Sequence, residues 1–186
     1  MKGLKELIKR NISGKKVLLL FMLTNLIYIF MLAVTIPKTM EFSKGLKLLD
    51  MMPGGYNSEY IKNLFSTLGE EGRSVYLYNQ IPIDMLYPGL FAISYCLVMA
   101  FFLQKLQKLD TGYFYLTLIP FVAGIADYSE NFGIITILNN YPDVSQLSMV
   151  LTNIFTIVKS TVTAVYFVAL IITMAIFGFK TFNKRK

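Results

Sequence analysis

Four runs of apolar residues, at 17–36, 82–103, 113–138 and 149–179, constrain this chain more than any other feature. Each reaches the about 20 residues that a helix needs to cross the hydrocarbon of a bilayer. Of the 186 residues, 16% are charged and 55% are hydrophobic. A soluble domain carries about 25% charged residues. The spacing predicts an all-α membrane protein, a single domain built as a bundle of four transmembrane helices. Short connections between the last three runs make antiparallel neighbours the natural packing.

The net charge of +7 is unevenly spread. Lys2, Lys5, Lys9, Arg10, Lys15 and Lys16 precede the first run, and Lys105 and Lys108 lie between the second and third. Lys180, Lys184, Arg185 and Lys186 follow the fourth. Residues 139–148 hold no Lys or Arg, and in 37–81 the basic residues are matched by acidic ones. By the positive-inside rule this places both termini in the cytoplasm. The basic excess then reads as a topology signal and a contact for membrane lipids, not for nucleic acid. The first run, followed directly by Pro37, reads as an uncleaved signal-anchor of a cytoplasmic-membrane protein.

Cysteine and histidine usage narrows the chemistry. Cys96 is the one cysteine and there is no histidine. An intrachain disulfide, a Cys-His or Ser-His-Asp catalytic arrangement and the usual zinc ligand sets are excluded. No metal or other cofactor is expected.

Outside the runs, 2–13 places Leu4, Leu7, Ile8 and Ile12 on one helical face beside lysines, suiting a helix at the inner headgroup layer with Gly14 as its stop. In the long loop 37–81, Asn57 or Ser58 can cap a helix and Gly69 can close it. Tyr60, Ile61, Leu64, Phe65 and Leu68 would form its apolar face. A second short helix is expected over 71–80, the pair forming an extracytoplasmic cap.

The third run contains Asp127 and Glu130, and the fourth contains Lys159. Asp127 lies ~16 Å below the outer end of its run and Lys159 ~15 Å below the same surface, at 1.5 Å per residue. The acids and the lysine are therefore expected to pair. Ala123, Gly124, Asp127, Glu130 and Asn131 share one face of the third helix. Thr152, Thr156, Lys159, Thr163 and Tyr166 recur at helical steps on the fourth. Both faces should point into the bundle, because a charge facing lipid at mid-membrane costs about 3 kcal/mol or more. Asn25, Tyr28 and Thr35 of the first helix are expected to join them. Two acids against one lysine call for a proton or a cationic group to complete the site. Asp84 is a further candidate, since Pro88 cannot donate to its carbonyl. Pro120 is expected to kink the third helix below the acids.

Two stretches, GYNSEYIKNLFSTLGEEGRSVYLYNQIPIDMLYP and ADYSENFG with FTIVKS, carry a resemblance to small four-span prokaryotic membrane proteins of an uncharacterised family. Its motif runs through Gly55, Tyr56, Gly69, Gly72, Arg73, Tyr76, Asp84, Pro88, Asp127, Glu130, Asn131 and Lys159. The resemblance implies the span boundaries and no activity.

The polar core of Asp127, Glu130, Asn131, Lys159, Thr156, Thr163, Tyr166 and Asp84 leaves three functions open. The first is a non-enzymatic protein that binds a lipid or small amphiphile, or that assembles with itself or another membrane protein. The second is an enzyme using an intramembrane carboxylic acid on a lipid or isoprenoid. The third is an oligomeric proton or cation carrier. The absence of a nucleophile constellation favours the first, with no catalytic residue assigned.

Overall fold

The computed structural model describes residues 2–183, which are mostly helical with no strand among them. Lys184, Arg185 and Lys186, part of the basic tail used in the topology argument, lie outside the described residues. The main elements are α1 (Lys2–Asn11), α2 (Gly14–Met40), α3 (Ser58–Val75), α4 (Tyr87–Lys105), α5 (Ile119–Asn140) and α6 (Gln146–Asn183).

Three stretches are long and apolar enough to cross a membrane: Gly14–Met40, Ser58–Lys105 and Gln146–Asn183. Within the second, the apolar part is α4. The helix Ile119–Asn140 falls outside this class because the charged pair and Asn131 interrupt its apolar sequence. It is shielded instead, packing between α4 and α6. The central position belongs to α4, whose residues 94–100 are all buried. It packs against α2 on one side and α5 on the other, with a 3₁₀ turn, Gly112–Leu118, laid against it.

The closest packing joins α5 to α6. A Cβ at Gly133 would overlap Thr152 of α6, so only glycine lets these helices approach so far. Gly124 lies against Pro88 and Ala92 of α4.

Both ends of the bundle are covered. Ile8 of α1 and Ile12 just after it are buried with Val17, Leu109 and Phe114, while Leu4 and Leu7 are exposed. Lys9 Nζ and Lys5 Nζ lie 2.9 and 3.6 Å from Asp110 Oδ1, pinning α1 to the loop after α4. The hydrogen bond from Lys9 holds the Asp110 carboxyl below its ordinary range, and Asp110 in turn raises Lys9. Gly14 begins α2 instead of stopping α1, which ends three residues earlier at Asn11.

At the other end, α3 buries Ile61, Leu64, Phe65 and Leu68 against Leu48, Leu49, Ile134, Ile137 and Met149. The Asn57 side chain caps α3 by accepting from Tyr60 N–H at 2.8 Å. Gly69 closes the first helical segment of α3: its φ 64°, ψ −174° is non-helical and suited to glycine, and a second helical segment follows across the kink to Val75. The second short helix expected over 71–80 begins after this kink and is α-helical as far as Val75. A π turn, Tyr76–Gln80, leads straight into the single turn Ile81–Asp84 and, after Met85 and Leu86, into α4.

A matching π turn, Met31–Thr35, widens α2. Each π turn ends at an isoleucine followed by proline, Ile36-Pro37 and Ile81-Pro82. A proline ring collides with the carbonyl four residues back and offers no N–H, so adding a residue to the preceding turn relieves both faults. The isoleucine N–H then bonds five residues back, to Met31 O and to Tyr76 O. The Thr35 hydroxyl donates to Gln80 Oε1 and so ties the two widened turns together. Pro120 does not kink α5, because it sits in the helix's first turn, where a missing N–H costs no bond.

Candidate functional site

The polar centre is built where α5 and α6 pack. Asp127 and Glu130 are one turn apart on α5, and Lys159 faces them from α6. Lys159 Nζ donates to Asp127 Oδ1 at 3.3 Å and is ion-paired with Glu130 Oε2. Glu130 is fully buried, whereas the Lys159 side chain keeps 17% of its exposure. Burial at this level requires each charge to have partners, and Glu130 has two kinds.

Its second partner starts a relay. Thr156 Oγ1 donates to Glu130 Oε1 at 2.6 Å, and Tyr56 Oη lies 2.8 Å from the same hydroxyl. One hydroxyl carries one proton, so with Thr156 donating to Glu130, Tyr56 must donate to Thr156. Tyr56 is held in place by its own N–H, which donates to Asn153 Oδ1 at 2.7 Å. Burial raises its phenol above the ordinary value, so Tyr56 stays a neutral donor. The segment before α3 thus reaches into the bundle and closes it.

Asp84 is 4% exposed. Its carbonyl, freed by Pro88, accepts from Asn131 Nδ2 at 3.4 Å. Its carboxylate Oδ2 has no hydrogen-bond partner, and neither does Asn131 Oδ1. A fourth acid comes from outside the predicted set. Asp50 follows α2 and accepts from Tyr76 Oη at 2.9 Å and from Gln80 Nε2 at 3.2 Å.

These groups meet at a cavity of about 660 Å³. Asp50, Asp84, Asp127 and Lys159 supply its charged wall, and Tyr28, Tyr87, Phe91, Tyr95 and Phe167 supply aromatic faces. The exposed residues Tyr28, Leu32 and Ala164 form a rim on α2 and α6, so the cavity opens on the flank of the bundle between its first and last helices. Helices α2 and α6 both flank α4 without being a major packed pair, which leaves this space unfilled.

Not every expected member joins the acids. Thr163 lines the cavity. Tyr166 does not reach the charged cluster: its hydroxyl donates to Tyr95 O at 2.6 Å, inside an aromatic group with Phe91 and Phe167. Its Cβ shares the polar face of α6, but two further turns carry it past the acids. Of the α2 residues, Tyr28 stacks on Tyr87 at 5.3 Å and Asn25 accepts from Tyr95 Oη at 3.2 Å. Thr35 bonds Gln80 instead. Sequence reasoning missed Asp50, Gln80 and Asn153, and gave Tyr56 no role. Asn153 borders the polar face of α6 and was findable from spacing, but Asp50 sits in an irregular segment with no periodicity to follow.

No family model, no curated protein and no solved structure matches the chain. The arrangement defines a class all the same: a helical protein with stretches long and apolar enough to cross a membrane and a charged, side-opening internal cavity.

Proposed function

We propose that this chain is a non-enzymatic binding protein of the cytoplasmic membrane that holds a small amphiphile in the cavity between α2, α4 and α6. The observation that carries the reading is the cavity itself. Its about 660 Å³ lie within the about 300–1,000 Å³ of small-molecule sites. One wall is charged, the others are apolar and aromatic, and the rim is on the lipid-facing flank. An amphiphile entering from the bilayer would place its polar end at Asp84, Asp127 and Lys159 and its apolar body against Phe91, Tyr95 and Phe167.

In this reading α5 is a fourth crossing. Its 22 residues give about 33 Å of helix, enough for the about 30 Å hydrocarbon core. Its charges are tolerated because α4 and α6 cover them. The termini lie on the cytoplasmic side, in line with the lysines around α1 and after α4. The cap formed by α3 then faces outward, where it is also the surface offered to a second copy or another membrane protein.

The test is ligand-induced stabilisation of the purified protein in lipid nanodiscs. A saturable rise in melting temperature with added single-chain amphiphile is expected. Ala164→Phe, at the exposed rim, should abolish the rise while leaving the unliganded melting temperature in place. If amphiphiles of every headgroup leave both proteins unchanged, the cavity is not a binding site.

A further inference from the structure

The charged wall is lopsided. Asp50, Asp84 and Asp127 line the cavity, Glu130 stands behind Asp127, and Lys159 is the only cation among the lining residues. The hydrogen-bond accounting is equally uneven. Asp127 and Glu130 share the Lys159 ammonium, and Asp50 takes neutral donors from Tyr76 and Gln80. Asp84 Oδ2 has neither an ammonium nor a neutral donor, although the residue is only 4% exposed. A buried acceptor without a donor is costly, and a buried carboxylate oxygen more so.

Resting on the amphiphile reading above, we propose that the polar end of the ligand is an organic ammonium group bearing at least one N–H, which donates to Asp84 and lies beside Asp127 and Asp50. An anionic headgroup would face three carboxylates in a poorly solvated space. A neutral headgroup would leave the negative excess in place. A bare metal ion fits poorly, because no three acids among the described residues stand close enough to share one. An ammonium meets each demand: it supplies the missing donor, offsets the excess charge, and finds aromatic faces at Tyr28, Tyr87 and Phe91 that favour a cation. Lys159 does not already fill this role, since it is committed to the α5 acids.

The experiment compares three probes of one chain length, dodecylamine, dodecanol and dodecanoate, binding to the protein in phosphatidylcholine nanodiscs near neutral pH. Empty nanodiscs serve to subtract partitioning into lipid. Dodecylamine is expected to bind at least about tenfold more tightly than the other two, a readily resolved difference. Asp84→Asn should remove that preference, and Asp50→Asn should reduce it, which keeps a second variant in hand if the first fails to fold. Equal affinity for the three probes, or an amine preference that survives in Asp84→Asn, would overturn the ammonium assignment while leaving amphiphile binding intact. Binding of none of the three would overturn both.

Discussion

Lys159 on α6 and Asp127 on α5 are 32 residues apart in sequence and 3.3 Å apart at their charged atoms. Glu130 closes the same group one turn further along α5. Removing the ammonium while keeping the side chain's length leaves two carboxylates facing each other without a counter-charge. Lys159→Met should therefore destabilise the protein by about 3–5 kcal/mol, the range for breaking a buried ion pair from one side. Thermal unfolding in detergent measures it. Replacing both acids by their amides in the same background should restore most of the loss, and a Lys159→Met protein as stable as its parent would rule out the pairing.

Thr156 is the middle member of the relay from Tyr56 to Glu130. Thr156→Val keeps the shape and removes the hydroxyl, stranding Glu130 Oε1 and Tyr56 Oη together. A loss of about 1–3 kcal/mol per stranded group is expected, and Thr156→Ser should recover nearly all of it. A double-mutant cycle with Tyr56→Phe should show coupling between the two sites, whereas additive losses would mean that the hydroxyls act separately.

Gly133 marks the closest approach of α5 to α6, and an added Cβ would overlap Thr152. Gly133→Ala should cost about 1–3 kcal/mol as the helices are pushed apart. Because the ion pair spans the same seam, the variant should also loosen Lys159 from Glu130. Hydrogen exchange at the middle of α5 would report that loosening, and unchanged protection there would show that the seam relaxes elsewhere.

Asp110 holds α1 through Lys9 and Lys5. Its carboxyl lies below its ordinary value because it accepts a hydrogen bond from Lys9. A depressed acid contributes its full stabilisation above the unfolded-chain value of about 3.9 and loses it as pH falls through the lower folded value. The docking of α1 should accordingly survive mild acid and release only below that range. Asp110→Asn should loosen α1 at neutral pH, and high salt should do so in part, since these groups are solvent-exposed. Exchange rates of the α1 amides across pH and salt would decide it.

The legible parts of the chain were those governed by one-dimensional rules. Apolar length marked α2, α4 and α6, although α2 and α6 continue past their apolar runs at both ends and α4 begins five residues inside its own. The Asn57 cap and the apolar face of α3 followed from local spacing. The meeting of Asp127 and Glu130 with Lys159 could be anticipated because depth along two antiparallel helices is a simple count. The π turns were not anticipated, since Pro37 was read only against signal cleavage and Pro82 only as the start of a run, not as causes of widening in the turn before each. Tyr166 was assigned to the charged group on periodicity, which reports direction around a helix but not which partner stands at that height.

Composition and residue order alone were enough to determine that this protein is helical, has stretches able to cross a membrane, and carries opposite charges at one depth on neighbouring helices. Only the tertiary structure decided that α2 and α6 stand apart around α4, that Asp50 and Asp84 join Asp127 at the resulting cavity, and that one carboxylate oxygen there lacks a donor. The physical reason is that helix formation and membrane depth depend on neighbours along the chain. A cavity depends on which faces fail to meet, and that is a property of the packed assembly.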